Sequence, residues 1–228
     1  FCFLILLSFI FFLPIFSGES LVVLVFHSLK SYLLPTGVEL IVTDPLSGFL
    51  AQVIVSLALA FIVSFPILLY EIINYLTPAL LHKERKALGL ILLPSVLLFF
   101  GGCLFSYFFI IPATFRALFP FTLSIQALPF FLVDQFIQLV FGMMIATGVL
   151  FLMPVFMVLL SAVGLVPRAF WLENWRYAAV FFLSFSAIIT PDGTGITMLL
   201  LSAPLAGLYA VGSFLSPRGR GADYKILN

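Results

Sequence analysis

The stretch LAQVIVSLALAFIVSFPILLYEIINYL, residues 50–76, runs for 21 residues before its single charged residue, Glu71. As an α-helix of 27 residues it would be about 40 Å long, which exceeds the roughly 30 Å hydrocarbon core of a bilayer. Pro66 lies inside it, removes a backbone N–H donor and bends the helix. The stretch therefore predicts a tilted or kinked helix that crosses a membrane.

The whole chain of 228 residues has the composition of a membrane protein. It is 64% hydrophobic and 8% charged, against about 45–50% and about 25% in soluble domains. Six apolar runs follow one another and predict an all-α polytopic membrane protein, a single membrane domain over residues 1–228 with approximate spans 1–16, 50–76, 87–111, 135–163, 177–189 and 196–215. Pro94 and Pro154 lie in the third and fourth runs. Together with Pro66 they predict bent helices that form a concave wall.

The ten basic residues divide unequally if the six runs cross the membrane in turn. Only Lys30 and Arg116 would lie on one side, and the other eight share the opposite side: Lys83, Arg85, Lys86, Arg168, Arg176, Arg218, Arg220 and Lys225. Since Lys and Arg accumulate in cytoplasmic loops, the pattern predicts cytoplasmic N- and C-termini. The cytoplasmic segments would be residues 77–86, 164–176 and the tail 216–228, and the outer loops residues 17–49 and 112–134. The net charge of +1 carries no further information, and no basic run indicates nucleic acid.

The two outer loops contain local signals. Residues 21–34 predict a short helix at the outer surface, followed by a turn and an extended segment over 38–43. Asp44 and Asp134 are candidate N-caps for the helices that follow them. Pro120 and Pro129 predict a bent path through the second outer loop.

Two of the apolar runs are short for a membrane span of about 20 residues. The first begins at Phe1 without Met and has sixteen residues, so we expect an amino-terminal segment to be missing. The fifth run has thirteen residues before Thr190-Pro191. Either this helix starts near Trp171, or the membrane is thinner beside it.

Residues that could perform catalysis or bind a cofactor are sparse. Cys2 and Cys103 lie in separate apolar runs and predict buried, inert thiols, with neither a disulfide nor a metal site. His27 and His82 fall on opposite sides, which argues against an intramembrane serine protease and against haem ligation. We therefore predict a non-enzyme without metal or cofactor. A small-solute transporter or channel is the alternative, but it would normally place ionisable groups at mid-membrane depth, and the middle of each run has none.

Several motifs occur in a specific order. The segment YEIINYLTPALLHKERK, residues 70–86, ends the second run, and FFGGCLFSYFFIIP, residues 99–112, lies in the third. Gly148, Phe151 and Pro154-Val155 follow in the fourth run, then Arg176-Tyr177 and Thr190-Pro191. In this order and at this spacing the chain resembles the TatC family, the polytopic core subunit of the twin-arginine protein translocase, over nearly all of its length.

The resemblance implies a binding site in the loop after the second span. In the family, the loop glutamate contributes to recognition of the twin-arginine motif of signal peptides, and Glu84 occupies this position. A carboxylate among basic residues can accept a bidentate bond from a guanidinium, although it could also simply neutralise its neighbours. Tyr75, Pro78, Leu80 and Arg85 match the same motif and complete the implied signal-peptide site. We interpret Glu71, thirteen residues before Glu84, as a solvated residue at the membrane rim.

The chain also departs from the family pattern. Leu152 stands where many members carry a glutamate, two residues before the proline of the fourth span. The last outer loop reads Thr190-Pro191-Asp192-Gly193, so that Asp192 is shifted from the family aspartate. Thr190, Pro191 and Asp192, with Asp44 of a family Thr-Asp pair, are candidate structural or functional residues of the outer face.

The resemblance further implies the partners and the setting. These are twin-arginine signal peptides of folded cargo proteins, single-span TatA- and TatB-type subunits, the lipid bilayer, and further copies of the chain in a homo-oligomer within a larger complex. Transport would be driven by the proton gradient, at the bacterial plasma membrane or an organellar energy-transducing membrane. A purely structural subunit of a membrane complex is a third alternative, since it would need no acidic cytoplasmic site.

Overall fold

The computed structural model of the chain describes residues 21–33, 39–42, 44–76, 85–124, 130–162, 164–191 and 195–217. Most of these residues form helices, and two short strands pair with each other. The elements in chain order are α1 (Leu21–Leu33), β1 (Glu39–Ile41), α2 (Pro45–Leu76), α3 (Arg85–Phe105), α4 (Ile111–Ser124), β2 (Phe130–Leu132), α5 (Val133–Phe151), α6 (Met153–Ala162), α7 (Arg168–Glu173), α8 (Trp175–Ile189) and α9 (Ile196–Leu215). A π-helical turn, Ser106–Ile110, joins α3 to α4.

Four helical segments within the described residues are long and apolar enough to cross a membrane: Leu46–Ile72, Leu92–Pro120, Val133–Ala162 and Ile196–Leu215. The apolar helix Trp175–Ile189 is shorter. These segments match the second, third, fourth and sixth predicted runs, and the first predicted run lies outside the described residues. The prediction of a largely helical membrane protein is therefore confirmed.

The third span is longer than predicted. The sequence interpretation ended it at Ile111 and assigned residues 112–134 to a loop, which is wrong for residues 112–124 because they form α4. At the junction the backbone N–H of Ile111 donates to the carbonyl of Ser106, five residues back. Pro112 lacks an N–H, so a wider turn before it lets the helix continue. Pro120 lies inside α4 and also fails to end the helix.

The fourth span is interrupted next to its proline. Helix α5 ends at Phe151 and α6 begins at Met153, with Leu152 between them. The N–H of Leu152 donates to the carbonyl of Val149, only three residues back, at 3.1 Å. A local tightening of this kind accommodates Pro154, whose ring would clash with the carbonyl four residues before it. Pro66 and Pro94, in contrast, lie inside helices that continue without a break.

The chain divides into two compact units, the first of which comprises residues 1–65 and 103–146. Here α1 packs on α4, and the predicted short helix and extended segment are both confirmed. Strand β1 pairs in parallel with β2, Glu39 opposite Phe130 and Ile41 opposite Leu132. The ring of Phe115, which is 2% exposed, is the centre of an aromatic cluster, with the ring centres of its neighbours 5.7 to 6.3 Å away: Phe119, Phe131 and Phe136.

The beginning of α5 corrects one prediction about the same unit. Asp134 was expected to be the N-cap of the fourth span, but the helix starts one residue earlier, at Val133. Asp134 therefore lies in the first turn, where its negative charge is favourable beside the free N–H groups of the helix terminus.

The second unit comprises residues 66–102 and 147–228. Helix α9 packs on α6, α7 and α8, and glycines permit close approach. A Cβ added at Gly212 would lie 2.8 Å from the Cα of Pro154, and one at Gly102 would lie 2.9 Å from the Cα of Gly148. Small residues at such crossings let backbones meet, which is a common way for membrane helices to associate.

Candidate functional site

The loop predicted to bind signal peptides connects α2 to α3. Its central residues, Pro78, Leu80 and Glu84, lie outside the described residues. Tyr75 lies in the last turn of α2, which ends at Leu76, and Arg85 is the first residue of α3. The two flanking residues of the predicted site are therefore fixed to helix ends.

The last described turns of α2 lead into this loop. Tyr70 is 51% exposed and Ile72 is 54% exposed, and Glu71 between them is exposed as well. Exposure agrees with the interpretation of Glu71 as a solvated rim residue. Glu71 lies at the end of a candidate span, where a carboxylate can reach water, whereas one at mid-membrane depth would need a partner.

The second predicted cytoplasmic loop, residues 164–176, contains regular structure that the sequence did not predict. Gly164, at φ +79°, follows α6 in the left-handed conformation that a helix C-terminus commonly requires. The N–H of Gly164 donates to the carbonyl of Ser161 at 3.2 Å. The chain then forms α7, and α8 starts at Trp175, so only part of this segment is a loop.

The start of α8 bears on the short fifth span. The sequence predicted that this helix starts at Tyr177, with a start near Trp171 as one alternative. The helix begins between them, at Trp175, and Asn174 separates it from α7. Its fifteen residues correspond to about 22 Å, still less than a full bilayer core of about 30 Å. The predicted end at Ile189 is confirmed.

Within the second unit, a hydrogen-bond network joins α6, α7 and α9. The hydroxyl of Tyr209 donates to the carbonyl of Trp171 at 2.7 Å. The indole N–H of Trp171 donates to Ser161 Oγ at 2.9 Å. The Tyr209 ring also packs edge-on against the rings of Trp171 and Phe182, with ring centres 6.3 and 5.8 Å apart, respectively. None of these residues belongs to the predicted site, and their one sequence signal was the Trp and Tyr placement typical of membrane interfaces.

Two arginines of this region lie against aromatic rings. The guanidinium carbon of Arg168 lies 5.9 Å from the ring centre of Phe214, and that of Arg176 lies 5.7 Å from the ring centre of Trp175. Cation–π contacts at such distances hold each positive charge beside an apolar surface. Glu173, on the same short helix as Arg168, is exposed.

The structure describes three of the four candidate residues of the predicted outer face, namely Asp44, Thr190 and Pro191. Asp44 precedes α2, and its backbone carbonyl accepts bonds from the N–H and hydroxyl of Ser47, at 2.9 and 2.7 Å. Thr190 is buried, and both its N–H and hydroxyl donate to the carbonyl of Ser186, each at 2.9 Å. Thr190 therefore closes the last turn of α8, and the exposed Pro191 follows it. Asp192 lies outside the described residues.

Leu152, at the position where the resemblance implies a glutamate, is buried at 4% exposure. It lies at the interruption between α5 and α6. The apolar side chain is packed within the protein, so this position contributes no charge to the interior of the span.

The thiols, histidines and acids of the described residues do not form a site for metal chemistry. Cys103 is buried, as expected, and its thiol donates to the carbonyl of Met144 at 3.5 Å. His27 is exposed on α1. Within the part of the chain that the structure describes, no three His, Cys, Asp or Glu residues come together as a metal-binding group. Cys2 and His82 lie outside that part.

Comparison with known proteins gives a consistent result. The family model described as Sec-independent protein translocase protein (TatC) matches residues 1–204. The TatC protein of Cenarchaeum symbiosum is 37% identical over 190 residues, which cover 83% of this chain and 72% of that protein. A chloroplast TATC protein of Pisum sativum is 35% identical over 180 residues, 78% of this chain, and this chain spans only 50% of its length. The crystal structure of a twin-arginine translocase receptor, TatC, superposes with a TM-score of 0.75 at 32% identity, covering 94% of this chain and 92% of that one.

Proposed function

Because the chain belongs to the TatC family of Sec-independent protein translocase components, we propose that it is the subunit that binds twin-arginine signal peptides at the cytoplasmic face. The observation that carries this proposal is the family match over residues 1–204, which includes the whole loop between α2 and α3. The likeness to a solved twin-arginine translocase receptor across 94% of the chain supports the same role.

The proposed topology has six spans with both termini in the cytoplasm. Four long apolar helices and the shorter α8 supply five of the spans, and the apolar run 1–16 supplies the first. The eight-to-two distribution of basic residues supports this orientation. In this topology the loop between α2 and α3 and the segment around α7 share the cytoplasmic side, and the bent helices form a concave wall for the apolar part of the signal peptide.

Glu84 is the proposed ligand for the arginine pair of the signal peptide. A carboxylate can accept two parallel N–H bonds from one guanidinium, and lysine cannot reproduce that planar geometry. Tyr75 and Arg85, at the ends of α2 and α3, would flank the peptide, and Pro78 and Leu80 would shape the loop between them. The binding energy therefore comes from charge and geometry at the membrane rim.

The proposed partners follow from membership of the translocase. Single-span TatA- and TatB-type subunits and further copies of this chain would assemble around it, and folded cargo would cross with them. The proton gradient would supply the energy, and the bacterial plasma membrane is the proposed location. The protein is then a receptor and organiser rather than an enzyme.

Site-specific crosslinking of a twin-arginine signal peptide to the loop tests this function. Glu84→Gln keeps the shape of the side chain and removes its charge. Hydrogen bonds to charged groups contribute about 1.5–3 kcal/mol, and rim exposure favours the lower value, so we expect about a tenfold loss of crosslinking. Glu84→Asp should be milder.

Glu173→Gln is the matched control, because it removes an exposed carboxylate from the other predicted cytoplasmic segment. It should leave crosslinking nearly unchanged, and all variants should insert into the membrane at the parent level. If Glu84→Gln crosslinks as well as the parent, Glu84 does not hold the arginine pair.

A further inference from the structure

The second unit contains an apolar groove between the N-terminal half of α8 and the C-terminal half of α9. Its volume is about 360 Å³. The groove is lined by aromatic rings and small side chains, chiefly Trp171, Trp175, Phe182, Tyr209, Phe214 and Ala206. Trp175 is 57% exposed and Phe214 is 67% exposed, so the groove opens to the surroundings of the protein. We call it the α8–α9 groove.

Two positive charges lie against rings that line the α8–α9 groove. Arg168 stands on the ring of Phe214 and Arg176 on the ring of Trp175, at 5.9 and 5.7 Å, and both rings line the groove. The Nε atom of Arg168 is buried and has no hydrogen-bond acceptor among the residues that the structure describes. Arg176 is exposed and Arg168 is half-buried, so other N–H groups of the two guanidiniums remain to bind an oxygen-rich anion at this edge of the groove.

The two features specify a ligand that is anionic at one end and apolar immediately below it. Tryptophan and tyrosine concentrate at the depth of lipid headgroups, and basic pockets between membrane helices bind anionic headgroups. A guanidinium matches the geometry of a phosphate with two parallel bonds. Glu173 is the acid closest in sequence, but its side chain is exposed on α7 and does not line the groove.

We propose that the α8–α9 groove is a binding site for an anionic phospholipid. The phosphate would accept hydrogen bonds from Arg168 and Arg176, and an acyl chain would lie along the aromatic rings and Ala206. The hydrogen bond from Tyr209 on α9 to the carbonyl of Trp171 on α7 holds these two lining residues together without the lipid. This site shares no residue with the proposed signal-peptide site and goes beyond the proposed receptor function.

Lipid titration of the purified full-length protein in detergent tests the site. Fluorescent phosphatidylglycerol is the probe, and unlabelled phosphatidylglycerol, phosphatidylcholine and glycerol phosphate are the competitors. We expect phosphatidylglycerol to compete at least about tenfold better than phosphatidylcholine. Glycerol phosphate should not compete at the same concentrations, because it has no acyl chain. Equal competition by the two lipids, or effective competition by glycerol phosphate, would overturn the proposal.

Variants locate the site on the protein. Arg168→Gln with Arg176→Gln should lose at least about tenfold in affinity for phosphatidylglycerol, and Ala206→Leu should weaken binding by filling the groove. Arg116→Gln, which removes an exposed arginine of the first unit, is the matched control and should bind as the parent does. If the double variant does not fold, the single variant Arg176→Gln, at an exposed residue, tests the site instead. Parental binding by the folded arginine variant would refute the site.

Discussion

Replacement of Gly212 by alanine tests the close packing of α9 on α6. The new Cβ would lie 2.8 Å from Pro154 Cα, 2.9 Å from Pro154 Cβ and 3.0 Å from Met157 Sδ. Two of these atoms belong to the rigid proline, so α6 must shift to make room. Overpacking of this kind costs about 1–3 kcal/mol of unfolding free energy.

Gly207→Ala is the matched control for this change. It lies on the same helix, is exposed, and its added Cβ would meet nothing within 4 Å. Both substitutions gain the same helix propensity, up to about 1 kcal/mol, so that the gain cancels in the comparison. Gly212→Ala should therefore be less stable than Gly207→Ala by about 1–3 kcal/mol.

Thermal unfolding in one detergent, followed by tryptophan fluorescence, measures this difference. About 2–4 °C per kcal/mol is typical for a chain of this size, which places the Tm of Gly212→Ala about 2–12 °C below that of Gly207→Ala. If the two variants melt together, or Gly212→Ala melts higher, the close contact between α9 and α6 does not exist as described.

Two further predictions concern the second unit and the topology. Tyr209→Phe removes the donor to the carbonyl of Trp171 and should cost about 1–3 kcal/mol of unfolding free energy. The control Tyr177→Phe, at a residue that is 77% exposed, should melt like the parent. Equal Tm values for the two variants would show that the Tyr209 bond contributes nothing. In a background without native cysteines, a cysteine at Gly221 should be labelled only from the cytoplasm and one at Gly37 only from outside, and labelling of Gly221 from outside would reverse the orientation.

The helix ends that the sequence predicted correctly are those marked by local chemistry. Ile189 ends α8 because Thr190 closes its last turn and Pro191 cannot continue it. Leu215 ends α9 two residues before Pro217. In both cases the stop signal lies within the chain segment itself, so the sequence alone suffices.

The predictions that were wrong depended on how the backbone accommodates proline. Pro120 and Pro129 suggested a bent loop, yet a π-helical turn before Pro112 lets the helix run on to Ser124. Pro154, by contrast, interrupts its span. Each proline lacks the same backbone N–H donor. Whether the helix continues past it depends on whether the neighbouring turns can adjust, and the spacing of apolar residues does not show this.

The candidate site illustrates a second limit. Glu84 was identified from an ordered motif with a family counterpart, which a sequence can display. The Tyr209–Trp171 bond joins residues 38 positions apart, and the α8–α9 groove depends on how α7, α8 and α9 pack. Only the three-dimensional arrangement brings these side chains together, since their spacing along the chain has no recognisable period.

Binding of twin-arginine and twin-lysine signal peptides to the parent and to Glu84→Gln, measured with the purified full-length protein, tests the central claim most directly. The receptor function predicts that the parent binds the twin-arginine peptide at least about tenfold more tightly. It also predicts that this preference falls towards one in the variant, because the carboxylate that distinguishes a guanidinium from an ammonium is gone. Equal affinity of the parent for both peptides would contradict the function, and an undiminished preference in Glu84→Gln would contradict the assignment of its binding residue.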